Sequence, residues 1–107
     1  MDFQIVWSAF AENQLDKIYE YLLENAGLKV ANNIFQKIIA EPEKLISHPE
    51  IAQVEELLAG RENEYRYLVL KNYKIIYSLD QKKGFIKIAD VFDTRQNPVK
   101  IKRNKEF

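Results

Sequence analysis

Apolar positions follow two different periods along the chain, and the change from one to the other divides it into a helical first part and a stranded second part. Ala11, Leu15, Ile18, Tyr19 and Leu22 recur at steps of three and four, with Glu, Asp and Lys opposite. Val30, Ala31, Ile34, Phe35, Ile38 and Ile39 repeat the pattern. The spacing predicts helices over 9–26 and 28–47. Ser8 stands where an N-cap is needed, Glu12 falls in the first turn where the helix dipole favours negative charge, and Gly27 is the stop between them. Pro42 should bend or interrupt the second helix, with Leu45 and Ile46 continuing it until His48-Pro49. So short a break between helices predicts an antiparallel hairpin.

From Tyr65 onward the period is that of strands. Tyr65 to Leu70, Tyr73 to Leu79 and Phe85 to Phe92 are rich in aromatic and β-branched residues, and Lys71-Asn72 and Gln81 to Gly84 are turn signals between them. Phe3 to Trp7 reads as a short first strand able to pair with this meander. A meander alone is marginal in water and needs a covering layer, which the helices supply. The expected fold is α+β, in the order β-α-α-β-β-β, with the helices on one face of a mostly antiparallel sheet. Its core should contain Trp7, Leu15, Ile18, Leu22, Ile34, Ile38, Ile75 and Ile88. Residues 50–63 resist assignment: Val54, Leu57 and Leu58 fit one helical turn or an irregular strand, and Gly60 breaks either.

Length and composition narrow the chemistry. The 107 residues, 47% of them hydrophobic, suit one domain over 1–107 with a basic tail at 98–107. With no cysteine there is no disulfide, thiolate nucleophile or Cys-based metal site. The only histidine, His48, reads as structural or solvated, and no Gly-rich phosphate loop or metal-ligand cluster is present, so neither cofactor nor metal is expected. No export signal is visible and no segment nears the roughly 20 apolar residues of a membrane span, which makes the cytoplasm the expected location. The formal net charge of zero conceals a polarity. Residues 1–60 carry four Lys/Arg against ten Asp/Glu, net −6, and residues 61–107 carry twelve against six, net +6. A basic surface on the sheet suits phosphates or an acidic protein.

The opening IVWSAFAENQLDKIYEYL, the run YRYLVLKNYKIIY and the closing IKIADVFDTRQNP together resemble the RelE/ParE family of toxins from bacterial type II toxin–antitoxin systems, over about Phe3 to Asn97. The resemblance implies a growth-inhibiting toxin wrapped and neutralised by a cognate antitoxin, with a heterotetramer as one assembly open to the pair. Two targets are implied by the two branches of the family. ParE-like members inhibit DNA gyrase by binding it; RelE-like members cleave mRNA on the ribosome, using cations around the reacting phosphate without a metal. Carried over by position, Arg66, Lys74 and Arg95 are the candidate catalytic residues and should form a basic cluster. Arg61, Arg66, Lys71, Lys74, Arg95 and Lys100 are the candidate surface for nucleic acid or a partner protein. Leu68 stands where a second lysine belongs in a nuclease, and Ile101 where a tyrosine belongs. Arginine stays protonated, which leaves Lys74 as the one credible proton acceptor. These departures favour the ParE-like, binding mode over the nuclease; a non-toxic binding module is the outside alternative. Structural pairing of Arg66 and Arg95 with Glu64, Asp90 or Asp93 competes with any functional role.

Overall fold

The computed structural model describes residues 3–103. The elements are β1 (Gln4–Trp7), α1 (Ala9–Ala26), α2 (Leu28–Ala40), β2 (Gln53–Val54), β3 (Arg66–Leu70), β4 (Tyr73–Asp80) and β5 (Phe85–Asp93). Three short 3₁₀ turns join them, at Glu41–Leu45, Glu56–Leu58 and Pro98–Arg103. The strands form one sheet in the order β1-β5-β4-β3-β2, antiparallel throughout except that β1 runs parallel to β5. A parallel neighbour needs a crossover, and the α1–α2 hairpin is part of it.

The start of α1 is tied to the sheet. Ser8 Oγ accepts from the Ala11 backbone N–H at 3.0 Å, and its hydroxyl donates to the Ala89 carbonyl at 3.3 Å. At the other end Gly27 adopts φ +92° and its N–H reaches the Leu22 carbonyl at 3.0 Å, a conformation that any residue with a Cβ would hold under strain. The second helix is shorter than the sequence pattern predicts: it stops at Ala40, and 41–45 is a 3₁₀ turn with Pro42 at its start. Proline has no N–H for the α-helical ladder and its ring crowds the carbonyl four residues back, so the pattern continues through Leu45 while the helix does not. Val30 and Ile39, read as part of the apolar stripe, are about 40% exposed, at 42% and 39%. Among the described residues no helix is long and apolar enough to cross a membrane.

Cross-strand register assigns each side chain to a face. Arg66↔Tyr77, Leu68↔Ile75 and Leu70↔Tyr73 lie under the helices; Tyr67↔Ile76 and Val69↔Lys74 lie on the other side. The helix face is the main core: Ala11, Leu15 and Ile38 from the helices meet Tyr73, Ile75, Tyr77, Ile86, Ile88 and Val91 from the sheet. Of the expected core, Leu15, Leu22, Ile38, Ile75 and Ile88 are buried, while Trp7, Ile18 and Ile34 pack against it partly exposed.

Between Ile76 and Tyr77 the register of β4 on β5 slips: Ile76 faces Asp90, but Tyr77 faces Ile88. β5 therefore carries one residue more than β4 at this point, a β-bulge. Strict alternation from Ile86 and Ile88 would aim residue 90, an aspartate, into the helix-side core. The extra residue resets the alternation, so that Val91 joins that core and Asp90 turns to the opposite face.

That opposite face is covered as well, by the stretch that resists assignment from sequence and by the chain after β5. Residues 50–63 contain both readings, the strand Gln53–Val54 and the 3₁₀ turn Glu56–Leu58. Leu58 and Ile101 pack on Tyr65, Ile76, Ala89 and Phe92 in a second, smaller cluster. The expected basic tail, 98–107, is a 3₁₀ turn over Pro98–Arg103; its remainder lies outside the described residues.

Candidate functional site

Arg66, Lys74 and Arg95 do not form the cluster expected of them. Arg66 and Lys74 sit at positions of opposite parity in the β3–β4 register, so they project from opposite faces of the sheet. Arg66 serves a latch: Nη1 donates to the carbonyls of Glu50 at 3.1 Å and Ala52 at 2.8 Å, and Nη2 meets Glu64 Oε1 at 2.9 Å. Beside it the Tyr77 hydroxyl donates to the Pro49 carbonyl at 2.7 Å. Burial pushes that phenol up to about 12. The two side chains hold the strand-free segment 49–52 against the sheet, satisfying carbonyls that have no ladder of their own.

Lys74, on the other face, is equally committed. Its Nζ lies 2.7 Å from Oε1 of Glu55, a carboxylate only 4% exposed, and 4.1 Å from the centre of the Tyr67 ring. Tyr67 is held in turn by donating to Gln53 Oε1 at 2.6 Å. Glu55 also accepts from the Leu57 N–H at 3.3 Å, capping the 3₁₀ turn. Carboxylate and ring both engage Lys74 as a cation. Leu68 packs against the helix-side core and Ile101 is 1% exposed in the second cluster, so the two positions that depart from the nuclease pattern are packing positions.

Arg95 takes the third of the expected structural pairings. It grips Asp93 through Nε at 3.0 Å and Nη2 at 2.8 Å, and its own N–H also donates to Asp93. Those hydrogen bonds hold the Asp93 carboxyl down to about 2. Asn72 joins this corner: its amide donates to Asp93 at 3.1 Å, and its carbonyl accepts from the N–H and hydroxyl of Thr94. The β3–β4 turn, where Lys71 adopts φ +54°, is thus fastened to the end of β5.

Here the structure builds a feature the sequence does not announce. A hollow of about 750 Å³ opens between α1, the ends of β4 and β5 and the final 3₁₀ turn. Its walls carry four cations, Lys17, Arg95, Lys100 and Arg103, and the aromatic side chains of Phe10, Tyr21 and Tyr73. The sequence marks Arg95 and Lys100 as candidates but not Lys17 or Arg103. Arg103 had a signal in Asp90, a carboxylate inside an apolar strand that must find a counter-charge. Arg103 provides it with two bonds, at 2.8 and 3.0 Å, while lying 5.2 Å from the rings of both Phe10 and Phe92. Even so, burial pushes Asp90 up from the ordinary carboxylate value. Of the remaining candidates, Lys71 is exposed at the turn and Arg61 donates to the Lys102 carbonyl at 3.2 Å. Among the described residues no group of three or more acidic, histidine or cysteine side chains is placed to hold a metal.

An antiparallel sheet with a parallel first strand, a helical hairpin on one face and cations gathered at one end defines a small α+β protein of the toxin class that the sequence resembles. The profile of the family described as ParE toxin of type II toxin-antitoxin system, parDE, matches residues 5–98. The chain belongs to the ParE toxin family. A solved structure, described as the chromosomal ParDE TA system from P. aeruginosa, shares the fold with a TM-score of 0.69 at 17% identity, over 85% of this chain and 95% of that one. No curated protein sequence matches the chain.

Proposed function

We propose that this chain is the growth-inhibiting component of a toxin–antitoxin pair, that it acts in the cytoplasm by binding DNA gyrase rather than by cutting mRNA, and that a cognate antitoxin neutralises it. One observation carries the choice of mode. A 2′-OH cleavage needs a base and charge-stabilising cations converging on one phosphate, whereas Arg66 and Lys74 occupy opposite faces and each is already held by protein groups. Family membership supports the same branch. The cations left with spare donors, Arg95 and Lys100, lie at the sheet end, where they suit an acidic protein surface.

The test is induction of the chain in bacteria, with plasmid supercoiling and mRNA 5′ ends scored separately. Growth should stop, supercoiling should change and no new mRNA ends should appear. Lys74→Arg keeps the cation and should retain toxicity, while Arg95→Ala should weaken it; co-expression of the adjacent gene's product should restore growth. Discrete new mRNA ends that vanish in Lys74→Ala would replace this reading with the ribosome-dependent nuclease.

A further inference from the structure

The hollow at the end of β4 and β5 holds more than the two cations, Arg95 and Lys100, that the target reading uses. α1 carries four carboxylates, Glu12, Asp16, Glu20 and Glu24, at steps of four, and a single lysine. None of the four lines this hollow, and Glu12 and Asp16 line a separate one between α1 and α2; Lys17 is the charged residue that α1 contributes here. Lys100 enters from the final 3₁₀ turn. Among the described residues neither lysine has a carboxylate partner. Arg95 spends Nε and Nη2 on Asp93, so Nη1 remains available, and its side chain is 59% exposed. Cations with unused donors collected in one concavity favour an anion there.

A bare anion does not account for the rest of the wall. Tyr21 is 51% exposed, unusual for so large a ring, and it lines the hollow together with the buried Tyr73. Both phenols stand close enough to Arg95 to interact with it electrostatically. An exposed ring beside ammonium groups offers a face on which a flat heterocycle stacks while its phosphate meets the cations. The carboxylates that α1 carries outside the hollow disfavour a long polyanion lying along that helix and leave a compact one unaffected. The volume, about 750 Å³, lies in the range of about 300 to 1,000 Å³ typical of small-molecule sites.

We infer that this hollow is a binding site for a nucleoside phosphate, with Lys17, Lys100 and Arg95 holding the phosphate and Tyr21 stacking on the base. The inference does not depend on which macromolecule the toxin inhibits.

Calorimetry and amide chemical shifts of the full chain, at low salt, test it with four probes: adenosine 5′-monophosphate, adenosine, inorganic phosphate and a tetraglutamate peptide. The nucleotide should bind with a dissociation constant of about 0.1–1 mM and shift amides of α1 and 98–103. Adenosine and phosphate should each bind at least about tenfold more weakly, since each lacks half of the contacts. Tyr21→Ala should weaken the nucleotide about 5- to 30-fold, the scale of one lost stacking platform. Lys17→Gln with Lys100→Gln should weaken it about tenfold or more, while Lys82→Gln, in the turn at the far end of β4, should leave it unchanged. These lysines and Tyr21 are exposed, so the variants should fold. Phosphate binding as tightly as the nucleotide, the peptide binding in its place, no shifts up to about 10 mM nucleotide, or a double lysine variant that binds like the parent would each overturn the site.

Discussion

The two faces of the sheet are held by different means. Under the helices the contact is apolar: two long elements deliver broad stripes of Leu, Ile and Ala, and area removed from water does most of the stabilising. The other face is covered by 3₁₀ turns of three and six residues, which bring few apolar side chains. Among the described residues all three buried polar side chains, Glu55, Ser78 and Asp90, belong to this face. Two of them meet a cation from another segment, Glu55 with Lys74 and Asp90 with Arg103. Hydrophobic contact is non-directional and tolerates sliding, while a carboxylate gripped by a guanidinium does not. A short cover can therefore be placed accurately with little area, provided that it carries the right charge.

The most severe break of this comparison should come from Arg103→Ala. It leaves Asp90, fully buried, without its counter-charge, and should lower stability by about 3 kcal/mol or more in urea unfolding. Pairing Asp90→Asn with Arg103→Met removes both charges and should recover most of the loss. A loss below about 1 kcal/mol for Arg103→Ala would mean that the second face, too, is held by area.

A sharper contrast comes from one cavity on each side. Ile75→Ala and Leu58→Ala should each cost about 2–4 kcal/mol, the range for deleting most of a buried aliphatic side chain. Amide exchange should separate them. Ile75→Ala should raise exchange across the helices and strands together, while Leu58→Ala should raise it mainly in 55–65 and 98–103, the covers of the second face. Uniform loosening by both variants would dissolve the distinction.

The smallest effect separates two aspartates of one strand. Asp93 is paired near solvent and its carboxyl is held down to about 2, so its contribution is present above the ordinary value of 3.8 and fades as pH falls from there towards 2. Asp90 has the opposite sign. Burial raises its folded-state value, so the penalty for keeping it ionised is full above that raised value and shrinks as pH falls towards 3.8. Subtracting the stability–pH curves of Asp93→Asn and Asp90→Asn from the parent's should give slopes of opposite sign in the acid range. Slopes of equal sign would show that the Arg103 pair outweighs burial at Asp90.

Which of these features can be read in the sequence follows from their range. The helices, the meander and the main core are written in local periods, and Ser8 and Gly27 punctuate them as expected. The apolar pattern overruns the end of α2 because Leu45 and Ile46 keep its rhythm beyond a proline that the backbone cannot pass as α-helix. Position along the strands nominates the candidate cations, but whether they converge depends on parity across a two-residue turn. Arg66 and Lys74 lie eight apart in sequence and on opposite faces in space. The hollow was illegible for a different reason. Its wall joins Lys17 to Lys100 across most of the chain, and no local pattern couples them.

The bulge in β5 works like a shift of reading frame. Upstream of Ala89 the inward residues have even numbers, 86 and 88; downstream the inward residue is Val91. Anyone moving residues into this strand from a relative whose strand lacks the extra residue must therefore count from the nearer end. Counted across the step, a graft intended for the solvent or for the second cluster arrives in the main core. Deleting Ala89 would restore strict alternation and leave Asp90 and Val91 on their present faces, whereas pairing Ala89 into a regular ladder would turn Asp90 towards the helices, changing no charge and no composition, yet exchanging the side chains of the two faces for the rest of the strand.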